Sequence, residues 1–392
     1  MREGWTYKKL GEVCEILNGF AFKSGNYTEQ GIRVLRITNV QKGLIVDDDP
    51  KYYPFNEETN LKQYMLKEGD LLMSLTGNVG RVGLLQKNLL PAALNQRVAC
   101  LRIKNSNIQL EYIFHLLNSD CFERDCIFNA TGIAQKNMST EWLKKYNIPI
   151  PSLSEQQTIV AELDKINELI SLKKAQLDDL DALAQSIFYD MFGDPIENEK
   201  GWEVKKLEDV CKTITDGDHM PPPKSENGIP FITISDINKE TREIDFNNTF
   251  YVPQDYYDGL KEERKAQVND LLYTVTGSYG IPVVVKSSMP FCFQRHIALI
   301  RPIQEKLLTI FLCWWVLCPS VKGEADRVAT GIAQKTVGLN SIRQFNIILP
   351  PLTLQQEFAK RIELIEQQKA QISSTIKDLE TLLASRMQYW FD

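Results

Sequence analysis

The chain has 392 residues, 43% of them hydrophobic and 24% charged, with a formal net charge of −6. That is an ordinary composition for a globular protein of two or three domains, and the acidic balance argues against a free-standing nucleic-acid binder. No run approaches the 18 apolar residues a membrane span needs, and Met1-Arg2-Glu3-Gly4-Trp5 lacks the apolar core of a signal peptide, so a cytoplasmic protein is expected.

In chain order, Ile32–Val40 is rich in β-branched and apolar residues and predicts a strand. Asp70-Leu71-Leu72-Met73-Ser74-Leu75-Thr76-Gly77 predicts a strand running into a glycine turn, and Val98–Ile103 a further short strand. Leu110–Asn118 predicts an apolar helix. Pro149-Ile150-Pro151 then makes an extended hinge, because proline continues neither a helix nor a central strand.

A long helix follows, with Ser154 three residues before Gln157 as an approximate capping box. Its apolar positions step by four and three: Ile159, Leu163, Ile166, Ile170, then Lys173, Leu177, Leu180, Ala184, Ile187 and Met191.

The second half runs through the same series. Ile229–Ile237 and Ile297–Ile300 predict strands, Leu307–Leu317 an apolar helix, and Leu349-Pro350-Pro351 a hinge. Thr353 before Gln356 opens a second seam of Phe358, Ile362, Ile365, Lys369, Ile372, Ile376, Leu379, Leu383, Arg386 and Trp390. Each helix is about 37 residues, or roughly 55 Å at 1.5 Å per residue. Two such amphipathic helices in one chain are expected to bury their seams on each other. Lys173 and Lys369 interrupt the seams at different places and are expected to set the register.

The likeness of the halves is literal. Ala130-Thr131-Gly132-Ile133-Ala134-Gln135-Lys136 recurs from Ala329 to Lys335. Gly4-Trp5, Lys8-Lys9-Leu10 and Val13-Cys14 return as Gly201-Trp202, Lys205-Lys206-Leu207 and Val210-Cys211. Asp70-Leu71-Leu72 with Thr76-Gly77 and Gly80 returns as Asp270-Leu271-Leu272 with Thr276-Gly277 and Gly280. Gln96-Arg97 matches Gln294-Arg295, and Gln156-Gln157 matches Gln355-Gln356. Two copies of this length are a duplicated domain rather than a solenoid, and a pseudo-twofold molecule suits a target with two half-sites.

Chemistry of the chain's own is hard to find. Gly77, Gly80 and Gly83 have the wrong spacing for a dinucleotide fingerprint, and there is no P-loop. His115, His219 and His296 share no metal-ligand spacing. His115 fits a core or rim position; His219, in Asp216-Gly217-Asp218-His219, is either a turn residue or a DNA contact. The eight cysteines, with Cys121/Cys126 and Cys313/Cys318 five apart, share no helix face and are expected as buried reduced thiols. Glu197-Asn198-Glu199-Lys200 fits a solvated linker, and Met220-Pro221-Pro222-Pro223-Lys224 is no adenine-methyltransferase motif.

Acidic residues crowd 155–181 and 357–380, whereas the segments around Lys23, Arg33–Arg36, Arg81–Lys87 and Arg97–Lys104 are basic. A basic face on an acidic molecule still attracts phosphate, and the weak overall field suggests DNA affinity shared with partner subunits. The candidate DNA contacts of the first half are Lys23, Ser24, Arg36, Asn39, Thr76, Asn78, Arg81, Gln96, Arg97, Gln135 and Lys136. In the second half they are His219, Lys224, Thr233, Ser235, Thr276, Ser278, Tyr279, Gln294, Arg295, Gln334 and Lys335. Asn, Gln and Arg carry donors and acceptors suited to base edges, and glycine permits close backbone approach to a phosphate. The same motifs equally suit a purely fold-holding role. Positions that differ between copies, Arg36, Asn39, Asn78 and Arg81 against Thr233, Asp236, Ser278 and Tyr279, are the better specificity candidates.

The order and duplication of these motifs, with Asn18-Gly19-Phe20-Ala21-Phe22-Lys23-Ser24 and the Leu-x-x-Gln-Gln entry to each helix, resemble the specificity subunit of a type I restriction–modification system over essentially the whole chain. The resemblance implies an α+β fold with two target-recognition domains (1–152 and 194–351) and two spacer helices (153–193 and 352–392) forming an antiparallel coiled coil. Each domain would read half of a split DNA site. The helices would pair through Ile159, Leu163, Ile166, Ile170, Leu177, Leu180, Ile362, Ile365, Ile372, Ile376, Leu379 and Leu383. They would set the half-site spacing and dock two modification subunits.

The resemblance further implies that the chain is non-catalytic and binds no cofactor or metal itself. S-adenosylmethionine would reside on the modification subunits, and ATP and Mg on the restriction subunits. The second copy departs from the pattern where Thr215-Asp216-Gly217-Asp218-His219 replaces the Asn-Gly-Phe turn, so its specificity loop is expected to be built differently. The second helix ends at Trp390-Phe391-Asp392 where the first continues through Phe192-Gly193-Asp194-Pro195. Active circular permutants are therefore expected.

Overall fold

The structure is a computed structural model, and it describes residues 4–54, 61–132, 136–331 and 334–392. The chain divides into two compact units, Met1–Lys174 with Ser374–Asp392, and Ala175–Ser373.

In the first unit a four-stranded antiparallel sheet runs in the order Cys14–Asn18, Val98–Ile103, Leu71–Ser74, Val82–Leu84. Its central strands are mostly apolar, Leu71–Met73 and Val98–Leu101, because both faces are covered. Leu71, Met73, Ala99 and Leu101 face a core made with Tyr112, Ile113, Phe122, Leu143, Ile159 and Leu163. Leu72, Val98 and Cys100 face a second core with Leu35, Val40, Leu85 and Leu94. A three-stranded sheet, Tyr52–Tyr53, Ile32–Leu35, Ala92–Leu94, stands beside it, and Thr6–Lys9 pairs with Asn147–Ile150.

The second unit repeats the plan. Its four-stranded sheet is Cys211–Asp216, Ile297–Pro302, Leu271–Thr274, Pro282–Val284. Its three-stranded sheet is Phe250–Val252, Ile229–Ile232, Cys292–Phe293, and Glu203–Lys206 pairs with Asn346–Leu349. A buried carboxylate–guanidinium fork recurs at the same place in both. Arg102 donates to both oxygens of Asp70 at 2.7 Å, and Arg301 to both of Asp270 at 2.8 Å.

The apolar helices are Leu110–Leu117 and Thr309–Leu317. The long strands expected at Ile32–Val40 and Ile229–Ile237 are each broken. After Leu35 the chain makes a 3-10 turn, Ile37–Asn39, closed by Arg36 N donating to Asn39 Oδ1 at 2.8 Å. After Ile232 the turn Ile234–Asp236 is closed the same way, Thr233 N donating to Asp236 Oδ2 at 2.7 Å. A short polar side chain that captures a nearby backbone N–H competes with strand pairing.

The long helices are Leu153–Phe192 and Leu352–Phe391, 40 residues each. The expected cap at Ser154 is displaced. Ser152 Oγ accepts from Glu155 N at 3.3 Å, and Ser154 lies within the helix, as Thr353 does in the second.

In the first unit the beginning of one helix runs antiparallel to the end of the other. Glu162 is joined there to Arg386 and to Trp390 Nε1 (2.9 Å), and Lys174 to Glu380 (3.4 Å). In the second unit Phe188 and Phe192 pack on Phe358, and Lys369 meets Asp181 at 3.0 Å. Of the seam positions, Ile159, Leu163, Ile166, Ile170, Ile362, Ile365 and Ile376 are buried, while Leu177, Leu180, Ile372, Leu379 and Leu383 are half-buried. Toward the end of the first helix the buried face is Ala184, Phe188 and Phe192 rather than Ile187 and Met191, which are half-buried. Two steps of four, Ala184 to Phe188 to Phe192, keep the phenylalanines against the Phe358 side of the core, where the heptad count drifts off by one residue.

Candidate nucleic-acid interface

Four segments distant in the sequence are knitted into one edge of each unit. In the first, strand Cys14–Asn18 runs into Gly19, where an added Cβ would lie 2.3 Å from the Asn95 backbone; only glycine lets the two chains touch. Phe20 N donates to Leu94 O (2.8 Å) and Gln96 N to Phe20 O (2.9 Å). Leu75 N donates to Arg97 O (2.9 Å), Gly77 N to Lys136 O (2.8 Å) and Met138 N to Leu75 O (2.8 Å). The Asn-Gly-Phe turn, the Thr-Gly loop, the Gln-Arg pair and the Thr-Gly-Ile-Ala-Gln-Lys loop are thus neighbours through backbone hydrogen bonds alone. That fabric leaves the side chains of Gln96, Arg97 and Lys136 exposed.

The second unit copies the fabric. Asp218 N donates to Phe293 O (3.0 Å), Arg295 N to Asp218 O (3.0 Å), Val275 N to His296 O (2.9 Å) and Gly277 N to Lys335 O (3.0 Å). These bonds correct the alignment of the halves. Gln96 and Arg295 make the same bond, as do Arg97 and His296, so Gln294 matches Asn95 and the two Gln-Arg dipeptides are out of step by one residue.

Of the expected contacts in the first unit, Lys23, Ser24, Asn78, Gln96, Arg97 and Lys136 are exposed. Gln135 lies outside the described residues. Thr76 is buried, and Asn39 is buried with its amide donated to Val46 O (2.8 Å), so these two hold the fold rather than offer a free edge. Arg36 is half-buried and donates to Asp49 O (2.6 Å), and Arg81 donates to Gln41 Oε1 (2.5 Å).

In the second unit His219, Lys224, Ser235, Arg295, Gln334 and Lys335 are exposed, whereas Thr276 is buried and bonded to Thr336 (3.2 Å). Thr233 Oγ1 lies 2.7 Å from both Ser235 Oγ and Asp236 Oδ2. Ser278 and Gln294 are half-buried, and Lys224 Nζ stands 4.9 Å over the Phe250 ring. Tyr279 donates to Asp326 Oδ1 (2.5 Å), and that bond raises the phenol above its usual range.

Sequence reasoning missed the polar network behind the second unit's edge. Asp216 accepts from His219 Nε2 at 2.8 Å and lies 3.8 Å from Arg264, which is 3.6 Å from Asp218; Tyr256 OH bonds the other oxygen of Asp218. Burial, with the neighbouring Arg295 and His219, lowers the His296 pKa and favours its neutral ring. Arg264 is 48 positions from Asp216, and no local spacing announces it. Among the described residues no His, Cys, Asp and Glu group is placed to hold a metal ion, and no helix is long and apolar enough to cross a membrane.

The family model described as "Type I restriction modification DNA specificity domain" matches residues 2–182 and again 199–381. The chain belongs to this family. The specificity-domain chain is also 24% identical over 391 residues to the type I restriction enzyme EcoBI specificity subunit of Escherichia coli, covering 93% of this chain and 79% of that one. Two solved structures share its fold. One is a chain from a study of complex assembly and conformational transition in a type I R-M system, with TM-score 0.58, 20% identity, and 100% and 98% of the two chains covered. The other is the type I restriction-modification S subunit from M. genitalium, with TM-score 0.51, 13% identity, and 99% and 96% covered. The expected α+β class with a duplicated domain is thus the fold of this family.

Proposed function

We propose that the chain is the DNA-recognition subunit of a type I restriction–modification complex, each unit reading one half of a bipartite site. The observation that carries this is the pair of four-segment edges. They share one backbone hydrogen-bond fabric but carry different side chains, the exposed Gln96 and Arg97 in one and the exposed Arg295 and half-buried His296 in the other. A common frame with divergent polar ends suits two readers of different sequences. The domains are proposed at 1–152 and 194–351, with helices at 153–193 and 352–392 acting as the spacer and as the dock for two modification subunits. On this reading S-adenosylmethionine belongs to those subunits, ATP and Mg belong to the restriction subunits, and the chain works in the cytoplasm.

Genome-wide mapping of methylated bases with the gene present and deleted tests the reading. Loss of one bipartite methyladenine motif on deletion is the expected result. An unchanged map, together with DNA binding by the assembled complex that does not fall with salt, would count against it, because phosphate contacts require that fall.

A further inference from the structure

The second unit's edge encloses a cavity of about 310 Å³ lined by Asp216, His219, Thr276, Arg295, His296 and Thr336 among others. All four knitted segments contribute. The polar ends are of two kinds. Arg295 is an exposed donor, and His219 donates through Nε2. Asp216 is an acceptor whose side chain is only 16% exposed. One of its oxygens takes the His219 Nε2 proton at 2.8 Å, and the other lies 3.8 Å from Arg264. A carboxylate offers about four lone-pair sites, so acceptor capacity is left over.

A donor-only pocket would suit a phosphate. Here Asp216, with Asp218 close behind it on the same Arg264, repels one. What presents acceptors and a donor side by side without charge is a base pair in the major groove. Guanine shows N7 and O6, which arginine grips in bidentate fashion, and its partner cytosine shows the N4 amino group, which a carboxylate accepts. The equivalent places in the first unit hold Asn18, Gln96 and Arg97, so that edge carries amides where this one carries a carboxylate and a guanidinium.

We propose that this cavity reads a single G·C pair in the half-site assigned to the second unit, Arg295 holding the guanine edge and Asp216 the cytosine amino group. His219 is a positioning residue that fixes the Asp216 carboxylate. The inference rests on the DNA-recognition reading above and adds the base and the residues that select it.

The test uses the full chain co-expressed with the modification subunits of its own system, and the duplex motif found by methylation mapping. In that duplex each guanine is replaced in turn by 7-deazaguanine, which lacks the N7 acceptor. For the wild type, one guanine should show a loss of affinity of roughly 5- to 150-fold, the range a good bidentate contact supplies. Arg295→Gln, which installs the first unit's side chain at an exposed position, should abolish the sensitivity at that guanine only. Asp216→Asn should relax the preference for cytosine opposite it. Gln96→Ala should disturb the other half-site and leave this guanine alone. Wild-type complex that binds its motif while Arg295→Gln keeps the full 7-deaza pattern overturns the proposal and leaves the DNA-recognition reading standing. A wild-type complex with no motif and no salt-dependent DNA binding overturns both.

Discussion

Lys369 of one long helix donates to Asp181 of the other at 3.0 Å, and Arg242 reaches the same carboxylate oxygen at 2.7 Å. Counting from Leu153 and Leu352, the helical position matching Lys369 is Ile170, which is buried and apolar. The pair therefore breaks the pseudo-symmetry of the seam. In the first unit, Glu162 with Arg386 and Trp390 breaks it differently. Burial opposes the Asp181 charge, but Lys369 and Arg242 together outweigh it and hold the carboxyl below its usual range.

Asp181→Ala is expected to destabilise the second unit by about 1–2 kcal/mol. The loss strips Arg242 of its carboxylate and leaves Lys369 only Glu366 at 3.4 Å, discounted because Asp181 is partly exposed and such pairs are solvent-screened. Lys369→Leu should cost less, since Asp181 keeps Arg242 and leucine fits an apolar seam. Denaturant unfolding monitored by a probe in residues 175–373 checks the order. Equal losses from the two substitutions would show that the lysine, rather than the shared carboxylate, anchors the pairing.

Gly217→Ala should damage the second unit's edge specifically. The new Cβ would stand 1.9 Å from Phe293 O, a backbone atom that cannot swing aside. Overpacking of this kind costs about 1–3 kcal/mol, occasionally more. The complex should lose discrimination in one half-site and keep it in the other, with Gly19→Ala giving the mirror result. Loss of both half-sites from either substitution would contradict two independent readers.

The central strands and both long helices were legible because their signals are local. Leu71–Met73 and Val98–Leu101 are apolar runs buried on both faces, and the helical seams repeat every three or four residues. The candidate edge was legible only as a list of repeated motifs. That Gly19 touches Asn95, or that Asp216 shares Arg264 with Asp218, depends on contacts between segments that no periodicity links. Repetition also misled. Thr76 and Thr276 recur because they are buried in the same fold, and the Gln-Arg dipeptide recurs one residue out of register.

His115 gives the first unit a pH dependence of definite sign. It is buried on helix Leu110–Leu117, with Nε2 2.7 Å from Asp164. Burial lowers its pKa below the ordinary 6.5 despite the half-exposed carboxylate. The unfolded chain therefore binds the proton more readily. The stability contributed by the neutral ring is full above about pH 6.5 and is lost as pH falls from there through the lowered folded value. Hydrogen exchange of residues 110–117, corrected for intrinsic rate, should show protection decreasing over that interval. His115→Gln should flatten the decrease, and an unchanged slope in that variant would assign it to another group.

Gln355 is fully buried, and its amide is completely engaged. Oε1 accepts from Leu308 N at 2.9 Å, and Nε2 donates to Lys306 O at 3.0 Å and Pro350 O at 2.9 Å. Gln156 makes the same three bonds to Gln109 N, Asn107 O and Pro151 O. Each glutamine thus ties the start of a long helix to the loop before an apolar helix, which explains its place in the repeated entry motif. Gln355→Ala should strand one N–H and two carbonyls out of water, at about 1–3 kcal/mol for each group left unsatisfied. Some of that is recovered where water enters, so a total of roughly 2–4 kcal/mol is expected. Gln355→Glu should be no milder, because a carboxylate cannot donate to the two carbonyls and would be buried as a charge. Urea unfolding of both variants beside Gln356→Ala, one position along, separates the buried tie from a general effect on helix propensity. A Gln355→Ala loss no larger than that of Gln356→Ala would dismiss the tie.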